Sequence, residues 1–459
     1  MTHSKHNELR EYQKEDVTKL LSVDCGACFN EQRTGKTPIA ITVMQSRHLN
    51  KVLIVCPTSM LYPWRDAWKT WANDDVVVCV GSPNKRIKII EAWKSGALII
   101  SYGCLKETIR TGGMLPYILK AKPDGCIADE AHHFKCHTTA TATAMYALAK
   151  IIPYRLALTG TPAINKPVDI FGILHWLLPE RFSSYWNFVH DNFRTYRQYT
   201  GFNKSHIEIG TWLPTRQAIM TQTLSSFSTQ RKRKEVMPWL PDKDYLKVKL
   251  PPTKLQEKYL SELNEYFETE DIITQTVLDR MIKERQICLS PQIVGLKGTS
   301  PKIDWIVDFM SDYADKSVII FSKFVAGIEL IHKTLSEKKI TGQVITGQVS
   351  SQDRAKIVED FQNGLLRYIV IQVDAGKEGL TLDRADVEIF VDVYPPAADI
   401  QQAEDRFVAT TKDKADKSHQ IIQLMIEGTY DEECYNLVER RASSIDCINS
   451  YIKYISDKR

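Results

Sequence analysis

The sequence predicts an α/β protein whose parallel sheets are covered by helices on both faces. Short, almost continuous apolar runs recur along the first half of the chain, at residues 51–58, 76–80, 98–102 and 125–128. Helix-length stretches separate these runs. Strands that are buried on both faces give unbroken apolar runs, and their alternation with helices is typical of a doubly wound layer structure.

Length and composition are those of a globular protein with several domains. A chain of 459 residues suggests roughly two to four domains. Its 43% hydrophobic and 25% charged residues are typical of globular proteins. The net charge of +4 is too small to indicate a nucleic-acid partner by itself, and we interpret the basic run at residues 231–234 as a solvated face. Because no apolar run approaches the ~20 residues of a membrane span and no signal-peptide pattern is present, we expect a cytoplasmic protein.

Residues Gly35, Lys36 and Thr37 follow a strand-like run at residues 23–29 and precede a helix-like stretch at residues 38–45. This order describes a phosphate-binding loop. The glycine lets backbone N–H groups approach phosphate oxygens, the lysine reaches the β- and γ-phosphates, and the threonine offers its hydroxyl to Mg²⁺. The N-terminus of the following helix adds a partial positive charge. The triplet alone leaves open whether it binds ATP; together with the downstream motifs described below, we predict an ATP site in which Lys36 is catalytic and Thr37 also holds the metal.

Further residues of the predicted ATP site flank this triplet. Arg33 and Thr34 complete the loop, and Arg10 and Gln13 lie at the start of an amphipathic helix that precedes it. A glutamine in this place is either an ordinary surface residue or a contact to adenine, whose edge its amide matches with one donor and one acceptor. The loop departs from the usual pattern at Asn30, where glycine is expected.

Two cysteines, Cys25 and Cys28, form a C-x-x-C pair in the strand that leads into this loop. With no second pair at zinc-site spacing, we interpret them as core residues, and the scattered ten cysteines fit a reducing compartment. Residues 132–137 contain three histidines and a cysteine, but they lie within the motif described next, so no further metal site is predicted there.

A carboxylate pair, Asp129 and Glu130, ends the apolar run at residues 125–128. The two carboxylates of such a pair can have different roles: Asp129 holds Mg²⁺, and Glu130 deprotonates the attacking water. A solvated acidic pair at a strand end is the alternative. After the next strand-like run, Thr159 and Thr161 stand on a turn, where they either sense the γ-phosphate or only form the turn.

A second α/β unit is predicted in the C-terminal part of the chain. Its strand-like runs lie at residues 317–322, 343–347, 368–372 and 387–393. Before them, residues 253–267 and 271–289 are predicted as polar amphipathic helices. Prolines near residues 236–250 indicate either a hinge between two lobes or an ordinary loop.

Taken together and in order, these motifs resemble those of a superfamily 2 helicase of the Swi/Snf type. The resemblance covers nearly the whole chain, and its motifs are Leu9–Gln13, Gly35–Thr37, Cys56–Ser59, Asp129–His132, Leu158–Pro162, Lys232–Val236 and Arg285–Cys288.

The resemblance implies two tandem RecA-like lobes with parallel sheets and helical insertions. The lobes are expected at residues 1–240 and 241–459, with a helical insertion near 190–235 and a helical protrusion near 253–290. It also implies a monomer that uses ATP and Mg²⁺ at the cleft between the lobes to move on double-stranded or branched DNA.

Further site residues follow from the resemblance alone. Arg406, Gly379 and Gln402 are expected to face the nucleotide from the second lobe, with Arg406 stabilising charge on the γ-phosphoryl group. The expected DNA contacts are Pro57, Thr58, Ser101, Tyr102, Ser322 and Lys323. Such contacts serve backbone phosphates rather than base edges, because a motor must move regardless of sequence.

The chain departs from the family pattern at three positions. Arg33 and Lys377 replace glycines, and Ala409 replaces a second arginine three residues after Arg406. Two functions therefore stay open: an ATP-driven translocase or helicase, and a nucleotide-regulated DNA-binding protein with weak ATPase activity. Residues 188–231 weakly resemble HepA-related annealing helicases, which act on forks and branched DNA. The compact motor looks bacterial or phage-like.

Overall fold

The computed structural model describes most of the chain, in two compact units, Met1–Pro238 and Trp239–Arg459. The described residues are 8–72, 74–106, 113–160, 167–199, 205–238, 244–266, 268–269, 272–273, 276–376, 380, 382–394, 397–404, 420–440 and 444–457. Among them, no helix is both long enough and apolar enough to span a bilayer.

The first unit is built on a parallel sheet of seven strands among the described residues, in the order β3-β4-β2-β5-β6-β1-β9. The strands of this unit are β1 (Cys25–Cys28), β2 (Lys51–Cys56), β3 (Val76–Val78), β4 (Gly96–Ser101), β5 (Gly125–Asp129), β6 (Tyr154–Leu158), β7 (Phe193–Tyr199), β8 (Ser205–Trp212) and β9 (Ser228–Thr229).

Both faces of this sheet are covered. In β2, Leu53 and Val55 point into one hydrophobic cluster, whereas Val52 and Ile54 point into a second cluster on the other face. All four side chains are buried. This alternation explains the unbroken apolar run in the sequence, because each face of the strand meets a core.

Helices supply the two covering layers. They are α1 (Glu11–Leu21), α2 (Lys36–Ser46), α3 (Leu61–Trp71), α4 (Pro83–Ala92), α5 (Tyr102–Lys106), α6 (Leu115–Ala121), α7 (Ala140–Ala149), α8 (Phe171–Leu177), α9 (Tyr185–Asn192), α10 (Arg216–Phe227) and α11 (Arg233–Val236). Short 3₁₀ turns lie at Thr58–Met60, Ala131–Phe134 and Pro167–Ile170.

The segment near residues 190–235 differs from the predicted helical insertion. Strands β7 and β8 pair as an antiparallel hairpin, and the longer helix in this segment is α10. Phe193 of β7 is buried against Trp212 of β8, with ring centroids 4.4 Å apart. The sequence did not predict these strands because most of their other described side chains are polar and exposed, so the strands have no apolar run.

The second unit repeats the architecture with six parallel strands among the described residues, in the order β10-β17-β16-β13-β15-β14. Its strands are β10 (Asp244–Leu250), β11 (Glu268–Thr269), β12 (Ile272–Ile273), β13 (Val318–Ser322), β14 (Gly342–Ile345), β15 (Tyr368–Gln372), β16 (Val387–Phe390) and β17 (Gln420–Ile426). Strands β11 and β12 form a separate antiparallel pair.

Helices again flank this sheet, and a 3₁₀ turn lies at Pro291–Val294. The helices are α12 (Lys254–Tyr266), α13 (Val277–Leu289), α14 (Pro301–Asp312), α15 (Val325–Glu337), α16 (Ser351–Gln362), α17 (Val373–Gly376), α18 (Ala397–Glu404), α19 (Tyr430–Glu439) and α20 (Ser444–Asp457). Two parallel sheets with helical layers confirm the predicted α/β fold.

Nine of the ten cysteines are buried, and Cys136 is exposed. Cys25 and Cys28 are core residues of β1, as the sequence predicts. Burial raises the pKa of both thiols.

Candidate nucleotide-binding site

The predicted phosphate loop and carboxylate pair follow two strands of the same sheet, β1 and β5, with β6 between them. Strands β5, β6 and β1 lie side by side and run parallel. Their carboxyl ends therefore share one edge of the sheet, where ligands of open α/β sheets bind. The loop after β1, Glu130 after β5 and Thr159 after β6 all lie at this edge.

The phosphate loop turns at Gly35, which has φ 76°, and α2 begins at Lys36. Glycine adopts this left-handed conformation without the steric cost of a Cβ atom. The Lys36 ammonium donates to the main-chain carbonyls of Asn30 at 3.0 Å and Glu31 at 3.1 Å. Thr34 is buried, and its hydroxyl donates to the Glu31 carbonyl at 2.7 Å. These bonds fold the loop around the lysine.

Arg33 adopts the same left-handed region, with φ 65°. A side chain costs about 1–2 kcal/mol in this conformation. Glycine, which the motif pattern has at this position, would adopt this conformation without that cost, so the loop carries strain at Arg33.

Helix α1 packs against the loop through Gln13 and Tyr12. Gln13 is buried, its Oε1 accepts from the Arg10 N–H at 2.8 Å, and its Nε2 donates to the Thr34 carbonyl at 3.3 Å. The Tyr12 hydroxyl donates to the same carbonyl at 2.7 Å. A Cβ atom at Gly35 would lie 2.2 Å from Gln13 Nε2. Gln13 thus supports the loop, and its contact to adenine stays a prediction.

Asp129 is a buried carboxylate with defined partners. Its Oδ2 accepts from Trp64 Nε1 at 2.8 Å, its Oδ1 accepts from the Glu130 N–H at 3.0 Å, and its carbonyl accepts from the Tyr102 hydroxyl at 2.8 Å. Burial and then the Glu130 carboxylate raise the pKa of Asp129 to about 6, whereas Trp64 and the positive charge of Lys36 lower it. The charge of Lys36 therefore acts on Asp129.

Glu130 connects the carboxylate pair to the strand-end turn after β6. Its Oε2 lies 3.3 Å from Nδ1 of His132, and the same ring nitrogen lies 3.3 Å from the hydroxyl oxygen of the buried Thr159. The backbone of Glu130 has φ 47°, a strained conformation of the kind that persists at functional sites. A Cβ atom at Gly160 would approach Gln32 of the phosphate loop to 3.3 Å, so the turn and the loop are packed together.

This donor set fits a nucleoside triphosphate with Mg²⁺. The Lys36 ammonium donates to main-chain carbonyls and lies beside the first N–H groups of an 11-residue helix, where phosphate oxygens bind. The hydroxyl of the half-buried Thr37 and the carboxylate of Asp129 are hard oxygen ligands of the kind that Mg²⁺ prefers.

The expected DNA contacts lie partly inside the protein. Tyr102 and Ser101 are buried, and Ser322 is buried with its hydroxyl donating to Asp392 Oδ2 at 2.6 Å. These three side chains lie in the protein interior rather than on its surface, which differs from the expected DNA contacts. Pro57 is also buried, but Thr58 is exposed.

Lys323 is half-buried, and its ammonium lies 2.7 Å from Asp374 Oδ2. Contacts of Thr58 and Lys323 with DNA stay predictions. Thr161, Gly379 and Arg406 lie outside the described residues, and Gln402 lies in α18, where only its backbone is described.

Three residues of this site were missed from the sequence: Trp64, which binds Asp129, and Asp16 and Arg231, which lie behind the loop. Asp16 did carry a signal, because it shares the buried stripe of α1 with Val17 and Leu20, where an acid needs a partner. Trp64 and Arg231 pair with residues far along the chain and carry no such signal.

A phosphate loop and an Asp-Glu pair at one edge of a parallel sheet, in a chain with two such sheets, are typical of a nucleotide-hydrolysing enzyme of the helicase class. The SNF2-related domain matches residues 5–293, and the helicase conserved C-terminal domain matches residues 301–408. The chain therefore belongs to the SNF2-related family of ATP-dependent helicases.

Similar proteins share this organisation. An uncharacterised ATP-dependent helicase of Mycoplasma pneumoniae is 24% identical over 453 residues, which cover 94% of this chain and 41% of the relative. The human DNA annealing helicase and endonuclease ZRANB3 is 23% identical over 451 residues, 95% of this chain and 40% of the relative. The chain thus spans about two fifths of the length of these relatives.

A solved structure, the helicase domain of Hef from Pyrococcus furiosus, resembles the chain with a TM-score of 0.53 at 16% identity. The match covers 93% of this chain and 97% of the Hef domain. This likeness concerns the fold, and it supports the assignment of tandem RecA-like lobes.

Proposed function

We propose that this chain is a DNA-dependent ATPase that couples ATP hydrolysis to movement on double-stranded or branched DNA. The observation that carries the proposal is the shared sheet edge that holds Lys36, Asp129 and Glu130. Membership of the SNF2-related family supports the same activity.

The residues of this edge have complementary roles. Bound ATP with Mg²⁺ supplies the phosphoanhydride bond and shields the phosphate charge. Lys36 and the start of α2 hold phosphate oxygens, while Thr37 and ionised Asp129 hold the metal. A carboxylate oxygen of Glu130 accepts the proton of the attacking water. Glu130 contacts His132, whose ring nitrogen also contacts Thr159, and this arrangement fixes the direction of the Glu130 carboxylate.

The activity is tested by phosphate release with and without DNA. We expect DNA to stimulate the wild-type protein, and Glu130→Gln to lower turnover about a hundredfold or more while ATP binding persists. Lys36→Ala should weaken both binding and turnover. Equal turnover of wild-type and Glu130→Gln protein would remove Glu130 from its assigned role.

The second candidate is a nucleotide-regulated DNA-binding protein with weak ATPase activity, and the observation that favours it is Ala409 in the place of an arginine. Under this alternative, ATP and DNA both bind but DNA does not stimulate hydrolysis. Arg406→Ala and Ala409→Arg separate the two cases. If Arg406 acts alone as the arginine finger, its loss lowers kcat with little change in ATP affinity.

Forks and four-way junctions are the proposed substrates, because ZRANB3 is named a DNA annealing helicase. Branch migration of a four-way junction, compared with ATPase stimulation by plain duplex of equal length, tests this choice. Equal stimulation without branch migration would leave a translocase on duplex DNA. Light scattering on the purified protein tests the proposed monomeric state.

A further inference from the structure

The first residues of the phosphate loop are connected to a distant segment of the same unit. The Phe29 N–H donates to the Thr229 carbonyl at 2.8 Å, and the Glu31 N–H donates to the Arg231 carbonyl at 3.0 Å. The Glu31 carboxylate in turn accepts from the Arg233 N–H at 2.8 Å. The loop backbone therefore continues the β1–β9 pairing beyond the strands.

Side chains reinforce this pairing through a buried carboxylate. Asp16 is 1% exposed, and its Oδ2 accepts from Asn30 Nδ2 at 2.7 Å. Its Oδ1 accepts from Arg231 Nε at 3.0 Å, while Arg231 Nη2 donates to Glu15 at 2.8 Å. Asn30 is fully buried, so its position depends on Asp16.

Asn30 and Glu31 are also the two residues whose carbonyls hold the Lys36 ammonium. A shift of these carbonyls moves the ammonium, which is the group that meets phosphate. Asn30 stands where the phosphate-loop pattern has glycine, and here its side chain is used as an anchor.

We infer that Asp16 and Arg231 are positioning residues for nucleotide binding, which act by fixing the Asn30 and Glu31 carbonyls that orient Lys36. The inference rests on the proposed ATPase function. Arg231 suits this role because its guanidinium is a planar fork that serves Glu15 and Asp16 at once.

The test compares Arg231→Gln with a matched control, Arg47→Gln. Arg47 is a half-buried arginine of the same unit that donates to the Leu20 and Leu21 carbonyls and lies over the Tyr154 ring, at the far end of α2 from the loop. The Arg47 side chain is more buried than that of Arg231, so its loss disturbs packing at least as much, but only Arg231→Gln removes contacts next to the loop.

The first measurement needs no nucleotide. Hydrogen–deuterium exchange of the ligand-free protein should rise in a peptide that covers residues 29–31 for Arg231→Gln and remain at the wild-type rate there for Arg47→Gln. Unchanged exchange of this peptide in Arg231→Gln would overturn the inference.

The second measurement separates positioning from a merely structural role. Per folded molecule, Arg231→Gln should raise the KM for ATP and the dissociation constant of Mg·ATP about tenfold, with a smaller effect on kcat, since a misplaced ammonium weakens phosphate binding. Arg231→Lys should recover part of the affinity, because one carboxylate regains a cation. Wild-type KM in Arg231→Gln would overturn the inference.

The Asp16→Asn background gives a further arm. Removing Arg231 alone leaves a buried charge without its cation, which is costly, so Arg231→Gln should do less harm when Asp16 is already Asn. Additive effects would contradict the pairing. Lys36→Ala is the reference: if it keeps wild-type turnover, the proposed ATPase site fails, whereas the exchange result still decides whether Arg231 positions the loop.

Discussion

At the scale of single residues, the phosphate loop shows how an unfavourable backbone conformation can be kept. Arg33 and Gly35 are both left-handed, but only one of them is glycine. The bonds of the loop to Gln13, Tyr12 and the segment around Arg231 hold this shape. The strain at Arg33 is thus offset by contacts made elsewhere in the loop.

Replacing Arg33 by Gly and by Ala separates this strain from the loss of the guanidinium. Both variants lose the same side-chain contacts, but Ala keeps the Cβ atom at φ 65°. Glycine removes the backbone strain of about 1–2 kcal/mol but adds a conformational-entropy cost of about 0.5–1 kcal/mol. The free energy of unfolding of Arg33→Gly should therefore exceed that of Arg33→Ala by about 1 kcal/mol. Urea unfolding measures the difference. Equal stability would show that the backbone relaxes without cost.

Asp129 gives a pH-dependent prediction. Its ordinary pKa is 3.8, and burial raises the pKa in the folded protein to about 6. Stability from this group is therefore fully present below about pH 3.8 and is lost as the pH rises through about 6. Asp129→Asn mimics the protonated form, so the stability of the variant relative to wild type should rise as the pH rises from about 3.8 to about 6, and should stay level above that pH. Urea unfolding at several pH values measures this; a constant difference would contradict it.

The residues of the site were predictable where a motif carries its own chemistry. Lys36, Thr37, Asp129 and Glu130 could be proposed because their types and order are typical of phosphate and metal binding. Asp129's partner Trp64 is 65 residues away, and no local pattern shows such a pairing. The buried Tyr102 was misread for the same reason, since its partner is the carbonyl of Asp129.

At the scale of elements, the 3₁₀ turn that follows the Asp-Glu pair is in close contact with α8. A Cβ atom at Gly172 would lie 2.3 Å from the Phe134 carbonyl oxygen and 3.0 Å from Lys135 Cα. Both neighbours are backbone atoms, so they cannot move aside as a flexible side chain would. Helix α8 thus fixes the 3₁₀ turn at Ala131–Phe134 behind Glu130.

Gly172→Ala should push this turn away from α8. We expect a loss of about 1–3 kcal/mol in the free energy of unfolding, together with lower ATP turnover, because His132 moves with the turn. Gly103→Ala is the control, since its Cβ atom would meet nothing closer than 3.6 Å. Urea unfolding and phosphate release measure both effects. Equal behaviour of the two variants would mean that the turn tolerates the shift.

Elements were predictable from apolar runs and not from polar ones. Each buried parallel strand of the two sheets that was named from the sequence has an apolar run, as β2 and β13 show. The hairpin of β7 and β8 exposes Tyr196 and Ile207 among polar side chains, so its strands give neither a run nor a clean alternation.

At the scale of the whole molecule, each unit has its own cores. The hydrophobic clusters on the two faces of the first sheet end at Phe227, and those of the second unit begin at Val248 and Leu250. The predicted boundary at residue 240 and the division after Pro238 both lie in this interval. Among the described residues, each of these clusters therefore draws its members from one unit.

This organisation predicts that residues 1–238 and 239–459 each fold when expressed alone. Each fragment should show its α/β circular dichroism spectrum and a cooperative urea transition, because each keeps a sheet with both faces covered. A fragment that unfolds without cooperativity would show that its core needs the other unit.

The single exposed thiol, Cys136, offers a labelling site close to the turn that follows the Asp-Glu pair. Cys136 follows the 3₁₀ turn that begins next to Glu130. Burial raises the pKa of seven other thiols and so suppresses their reactive thiolate form. These thiols are Cys25, Cys28, Cys79, Cys126, Cys288, Cys434 and Cys447. A maleimide dye should therefore label the native protein at one position without any engineered cysteine. Its fluorescence would then report on the surroundings of the Asp-Glu turn in the unmodified sequence.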